Sequence, residues 1–147
     1  MSSLQEILCS EANRANVVQD ATRLVDQEVD QKSGLTGLAV KTAYKVVCKL
    51  KPGLVAEVVD NLLERFVTQV EPFFAEWVTS GKRETFEGFL TARKNRVANA
   101  LLSVTDERAR AVQNTTLKKS YETLRPHGEK HVEAAVPGLA KMLARYV

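Results

Sequence analysis

Apolar residues recur every three to four positions along nearly the whole chain, the period of a helix that buries one face. Ser3 with Glu6 has the spacing of a capping box and opens a short first helix through Leu4, Ile7 and Leu8. A second helix covers roughly 13–31, with Val17, Val18, Ala21, Leu24, Val25 and Val29 as its stripe and Asp20, Gln27 and Asp30 outside it. Ser33-Gly34-Leu35-Thr36-Gly37 interrupts, and a third helix runs to Lys51 and stops at Pro52-Gly53. The fourth segment, 53–79, has the widest apolar face. Val55, Val59, Leu62, Phe66, Val70, Phe73 and Trp77 make one row, and Val58, Leu63, Val67, Phe74 and Val78 widen it. A stripe that broad packs on more than one neighbour. Pro72 falls inside a continuing period, so it reads as a kink. Phe66, Phe73, Phe74 and Trp77 are therefore expected among the most buried aromatics, with Phe66 in the core.

Ser80-Gly81-Lys82-Arg83 reads as a loop, and Phe86, Phe89 and Leu90 lie on a short helix. Val97, Ala100, Leu101 and Val104 follow a break near Arg93-Lys94-Asn95-Arg96. Thr105, with Asp106 and Glu107 behind it, has the chemistry of an N-cap and an acidic first turn. That predicts a helix through Ala109, Val112, Leu117, Tyr121 and Leu124 that ends at Arg125-Pro126. A last stretch carries Val132, Ala135, Val136, Leu139, Leu143 and Tyr146, with Pro137 as a kink or restart. Val is the commonest residue, which favours strands. The helical period overrules it, since no alternating run and no hairpin signal appears. The pattern predicts an all-α fold: a single compact bundle of about six or seven helices over 1–147, with the 53–79 helix central.

Composition adds limits. The chain has 147 residues, 44% hydrophobic and 27% charged, an ordinary mix for one globular domain. Cys9 and Cys48 are far apart and share no motif, which points to a reducing, cytoplasmic setting rather than a disulfide framework. The start, MSSLQEILCSE, lacks the basic region of a signal peptide, and no uncharged run is long enough to span a membrane. The net charge of +3 is unevenly placed. Residues 1–31 carry six acids and two bases, 32–51 five lysines and no acid, 52–81 five acids and one base, and 82–147 thirteen bases and seven acids. Blocks of opposite sign in one fold are expected to pair with one another.

Two stretches, SGLTGLAVKTAYKVVCKLKPG and LLSVTDERARAVQNTTLKKSYETLRPHGEKHVEAAVPGL, resemble a family of small uncharacterised bacterial proteins, a domain of unknown function. The likeness runs over nearly the whole chain. It implies a small helical bacterial protein and supplies no activity, cofactor or catalytic residue.

Candidate chemistry is sparse. His127 and His131 stand four apart, on one helical face, but zinc needs three or four ligands and no cysteine is near them in sequence. They are expected as two partly exposed histidines in the first turns of a helix after Pro126. Cys48 lies among Lys45, Lys49 and Lys51, cations that would activate an exposed thiol, yet it follows Val46 and Val47 and reads as a small buried hydrophobe. Glu57, Asp60, Glu64, Glu71 and Glu76 have no Glu-x-x-His partner of the di-iron kind, so they read as a solvated or salt-bridged face. The Asn114-Thr115-Thr116 sequon reads as chance. No phosphate loop, dinucleotide fingerprint, nucleophile elbow or CxxC is present. No catalytic, metal or cofactor residue is assigned.

The most informative segment is 33–51. Gly34 and Gly37 free the backbone before a helix N-terminus, where unpaired N–H groups can hold an anion. Lys41, Lys45 and Lys49 follow at intervals of four and form one cationic stripe. The expectation is a non-enzymatic cytoplasmic binding or protein-interaction module. The alternative is a binder of an anionic ligand (nucleic acid, a phosphorylated metabolite or a membrane surface) through Gly34, Gly37, Lys41, Lys45 and Lys49. The competing fate of the lysines is neutralisation by the acidic segments on either side. Apolar faces as wide as that of 53–79 leave room for a homodimer or a protein partner.

Overall fold

The computed structural model describes residues 3–31 and 34–147, with Leu35, Thr36 and Leu124 described by their backbone alone. Ser33 of the interrupting loop, Lys32 of the lysine block and the side chain of Leu124 lie outside the described residues. Ser3 caps the first helix as its spacing requires: its Oγ accepts the Glu6 N–H at 3.1 Å, opening α1 (Leu4–Leu8). Six more helices follow, α2 (Arg14–Asp30), α3 (Gly34–Leu50), α4 (Leu54–Thr79), α5 (Phe86–Thr91), α6 (Lys94–Ala111) and α7 (Thr115–Ala144). There is no strand among the described residues. The protein is an all-α bundle.

Several boundaries differ from the sequence pattern. α3 begins at Gly34, whose φ of 74° only glycine adopts freely, so Gly37 lies buried in its first turn and not in a preceding loop. Thr105 does not cap a helix. It sits inside α6, and its hydroxyl donates to the Leu102 carbonyl. The break falls at Val112, and Asn114 caps α7, its Oδ1 accepting the Leu117 N–H at 3.1 Å. α7 does not end at Arg125-Pro126; it continues through both Pro126 and Pro137. A proline inside a helix costs about 3 kcal/mol, so packing must hold α7 straight through. It does so on four neighbours, α2, α3, α5 and α6. α4 runs through Pro72 as expected and touches α1, α2, α3, α5 and α6. The backbones of the two longest helices scarcely approach each other, although side chains of both belong to one core.

At one end, α4 and α5 lock through aromatics. Phe86 meets Phe74 edge to face at 5.6 Å between centroids and Trp77 at 5.0 Å. Trp77 Nε1 donates to the Glu84 carbonyl at 2.8 Å, which ties the intervening loop to the cluster. Phe73, Phe74 and Trp77 are buried as expected, but Phe66 is only half-buried, and Phe86 and Phe89 of α5 are the most buried aromatics. Sequence order hid this, because a short helix with few apolar residues can fill a hole completely.

The acidic face of α4 is paired throughout. Arg14 bonds Asp60 and Glu64, Lys51 bonds Glu57, Arg96 faces Glu76, and the Glu71 carboxylate accepts the N–H of Leu4 at 2.9 Å at the start of α1. The Arg14 guanidinium holds the Glu64 carboxyl below its usual range. Asp106 accepts a two-pronged bond from Arg125 at 2.6 and 3.0 Å, which lowers its carboxyl, and a bond from the Tyr121 hydroxyl.

All three tyrosines donate to an aspartate on another helix: Tyr44 to Asp26, Tyr121 to Asp106 and Tyr146 to Asp20. Burial, then the Asp20 carboxylate 2.6 Å away, pushes the Tyr146 phenol up to about 12. A pKa raised on folding stabilises fully below the unfolded value of about 10 and is lost as pH rises through the folded one. The protein is therefore expected to lose stability between about pH 10 and 12, and Tyr146→Phe to flatten that decline. Urea midpoints measured at stepped pH check it; identical slopes for both proteins would sink it.

Candidate functional site

The gap between α4 and α7 is a cavity of about 340 Å³. Native interiors have few voids larger than a water molecule. This one falls within the range of about 300–1,000 Å³ typical of ligand sites. Twenty of its twenty-three wall residues are apolar. Nine of them are valines and two are alanines. Valine is short and stiff at χ1, so a valine on each facing helix cannot reach across the space between them.

Each helix contributes by its period. α2 supplies Val17, Ala21, Leu24, Val25, Glu28 and Val29, the stripe seen in its sequence with Glu28 added. α4 supplies Val59, Leu63, Phe66, Val67 and Val70, so Phe66 borders the cavity rather than filling the core. α7 supplies a face from His131 to Leu143. Leu101, Leu102 and Thr105 come from α6, Leu8 from α1 and Val40 from α3.

Contacts between helices give the cavity a direction. α2 and α7 run antiparallel: Tyr146 bonds Asp20, and a Cβ on Gly138 would stand 2.9 Å from Leu24 Cδ1 and 3.2 Å from Glu28 Oε1. Gly138 is what lets these two helices approach. α6 and α7 are antiparallel too, with Asp106 at Arg125 and Leu102 3.5 Å from where a Gly128 Cβ would be. One end of the cavity, at Leu8, Val17, Val70, Met142 and Leu143, is fully buried and apolar. All three polar wall residues lie away from that end: Glu28 near the end of α2, and Thr105 and His131 farther on. His131 Nε2 is shielded from solvent. α3 lies beside an earlier part of α7, where Leu38, Thr42 and Val46 face Thr116, Ser120 and Thr123 across a groove of about 600 Å³.

The residues singled out in the sequence fall elsewhere. Gly34 is exposed at the start of α3 and Gly37 is buried one turn on. Lys41 is half-buried, and Lys45 and Lys49 are exposed. None of the three has a carboxylate within ion-pair distance among the described residues, so the expected neutralisation does not occur; arginines make nearly all the ion pairs. His127 and His131 stand in the middle of α7, both half-buried, with ring centroids 6.2 Å apart, because α7 does not restart after Pro126. No three metal-ligating side chains gather among the described residues. Cys9 and Cys48 are free and half-buried, and burial with Glu64 nearby pushes the Cys9 thiol up, away from reactivity.

The chain belongs to a family of unknown function, DUF6918, whose sequence profile matches residues 4–147. No curated protein and no solved structure is significantly similar to it.

Proposed function

We propose that this member of a family without an assigned activity is a non-enzymatic binding module, and that what it binds is a small apolar ligand held between α4 and α7. The cavity carries the reading. Close-packed interiors hold few voids larger than a water molecule, so a half-open apolar pocket of about 340 Å³ leaves its lining short of contacts. Water fills such a space poorly, because each molecule needs two to four polar partners and the wall is almost wholly apolar. An apolar guest recovers the loss. The two free cysteines support a reducing, cytoplasmic setting. The test is titration with an environment-sensitive apolar fluorophore. Saturable binding at one site per chain is expected, and none after Ala21→Leu with Ala135→Leu, which takes up roughly half of the space and leaves too little for the probe. A folded wild type that binds no such probe overturns the reading.

A second reading rests on the lysines of α3. Lys41, Lys45 and Lys49, with no carboxylate in ion-pair distance among the described residues, present three charges along about 12 Å of helix, at 1.5 Å per residue, enough to meet a few phosphates of an anionic surface. Binding to mixed nucleic acid or anionic vesicles is then expected at low salt, weakening as salt rises, and absent from the triple Lys→Gln variant. Equal, negligible binding by both proteins removes this reading and leaves the first untouched. No described helix is long and apolar enough to cross a membrane.

A further inference from the structure

The face that α3 turns to water mixes two chemistries. Among its residues with described side chains, the exposed ones are Gly34, Leu38, Thr42, Lys45 and Lys49, with Leu50 beside the last. Steps of four, four, three and four residues make one stripe along the helix. Leu38 is 62% exposed and Leu50 is 47% exposed. The one other exposed large hydrophobic among the described residues is Val147, the last residue. Lone apolar side chains on a surface are ordinary. Here both leucines stand on the helix that carries three lysines and no acid. Lys45 and Lys49 lie between them in sequence. The positive surface continues across the groove to α7, whose exposed Lys119 lines the opposite wall, and no acid lines that groove.

These features favour one kind of anionic surface. A nucleic acid offers phosphates to the lysines but gains nothing from an aliphatic side chain. Unpaired bases stack on aromatic rings, and the one ring of α3, Tyr44, is tied to Asp26. A bilayer uses both chemistries: leucines enter the acyl boundary while lysines stay among the headgroups. Leu38 and Leu50 are about 18 Å apart along the helix, so α3 would lie in the plane of the surface.

We infer that the exposed stripe of α3 seats the protein on an anionic lipid bilayer, with Leu38 and Leu50 in the acyl boundary and the lysines of α3 among the headgroups. This rests on the second reading above and names the surface that it meets. Two leucines bury little area, so the attachment is reversible and weakens with salt.

The test is co-sedimentation of the full chain with vesicles of phosphatidylcholine, with and without phosphatidylserine, beside binding to mixed nucleic acid. Binding is expected only where phosphatidylserine is present. A lysine near an anionic bilayer contributes about fivefold, so the triple Lys→Gln variant is expected to bind about a hundredfold more weakly. Leu38→Ser with Leu50→Ser is expected to lose about tenfold or more on vesicles with no change in melting temperature, since both side chains are exposed. The Leu38→Trp variant is expected to keep binding and to have its fluorescence quenched by brominated phosphatidylcholine in the same vesicles. Trp77, buried between α4 and α5, stays unquenched in the wild type. Equal binding to both vesicle types, undiminished binding by the double Leu→Ser variant, or an unquenched Leu38→Trp variant overturns the inference. Nucleic acid bound with no vesicle bound overturns it too, while leaving the second reading standing. Binding of neither overturns both.

Discussion

Ala21→Leu combined with Ala135→Leu is expected to stabilise the ligand-free protein by about 1–3 kcal/mol and to abolish binding of apolar probes. Both alanines line the cavity, on antiparallel helices, and each substitution adds three carbons to it. Six groups of about 30 Å³ would occupy roughly half of the 340 Å³. At about 24 cal/mol per Å³ the gain is at most about 4 kcal/mol, and some of it is spent as strain in fitting the new side chains. In an ordinary close-packed core the same change overpacks and costs about 1–3 kcal/mol, so the sign of the effect decides. For a domain of this size the gain reads as a rise in Tm of roughly 2–12 °C by calorimetry. A fall in Tm would mean that the space is not there to be filled.

Phe86→Ala is expected to cost about 3–5 kcal/mol and to lower Tm by roughly 10 °C or more. The ring is 2% exposed and wedged against Phe74 and Trp77. Its removal leaves a hole that close-packed neighbours do not fill, and α5, six residues long, is then held by Phe89 and Leu90 alone among its buried side chains. Phe66→Ala is expected to cost clearly less, because Phe66 is half-buried against a space that already exists. Chemical denaturation of the two variants side by side is the check. Equal losses, or a larger one for Phe66→Ala, would mean that the aromatic cluster is not the tightest part of the fold.

The helices themselves were legible along the chain. α1, α2, α4 and α5 fall close to where period and capping put them, because an amphipathic stripe and a cap such as Ser3 are local features. The errors arose where a local signal met a stronger distant one. Thr105 and Asp106 look like a helix start, but Asp106 is held by Arg125 and Tyr121 from α7, and the chain stays helical around it. Pro126 looks like a stop, but contacts with four neighbouring helices outweigh a missing N–H.

The lysine stripe was visible in the sequence; that arginines would make nearly all the ion pairs among the described residues was not, since partners for both are set by which helices meet. The cavity was the least legible feature. Its wall is written in the sequence as valine stripes on separate helices, and each stripe alone reads as core. Whether two such stripes touch or stand apart depends on how α2, α6 and the other neighbours hold α4 away from α7. The sequence by itself determined the helical class, the amphipathic faces and the unbalanced charge, because these follow from residue type and near-neighbour spacing. Only the tertiary structure decided that the apolar faces of α4 and α7 border an open space, because such a space is a property of the distance between elements and of no residue in them.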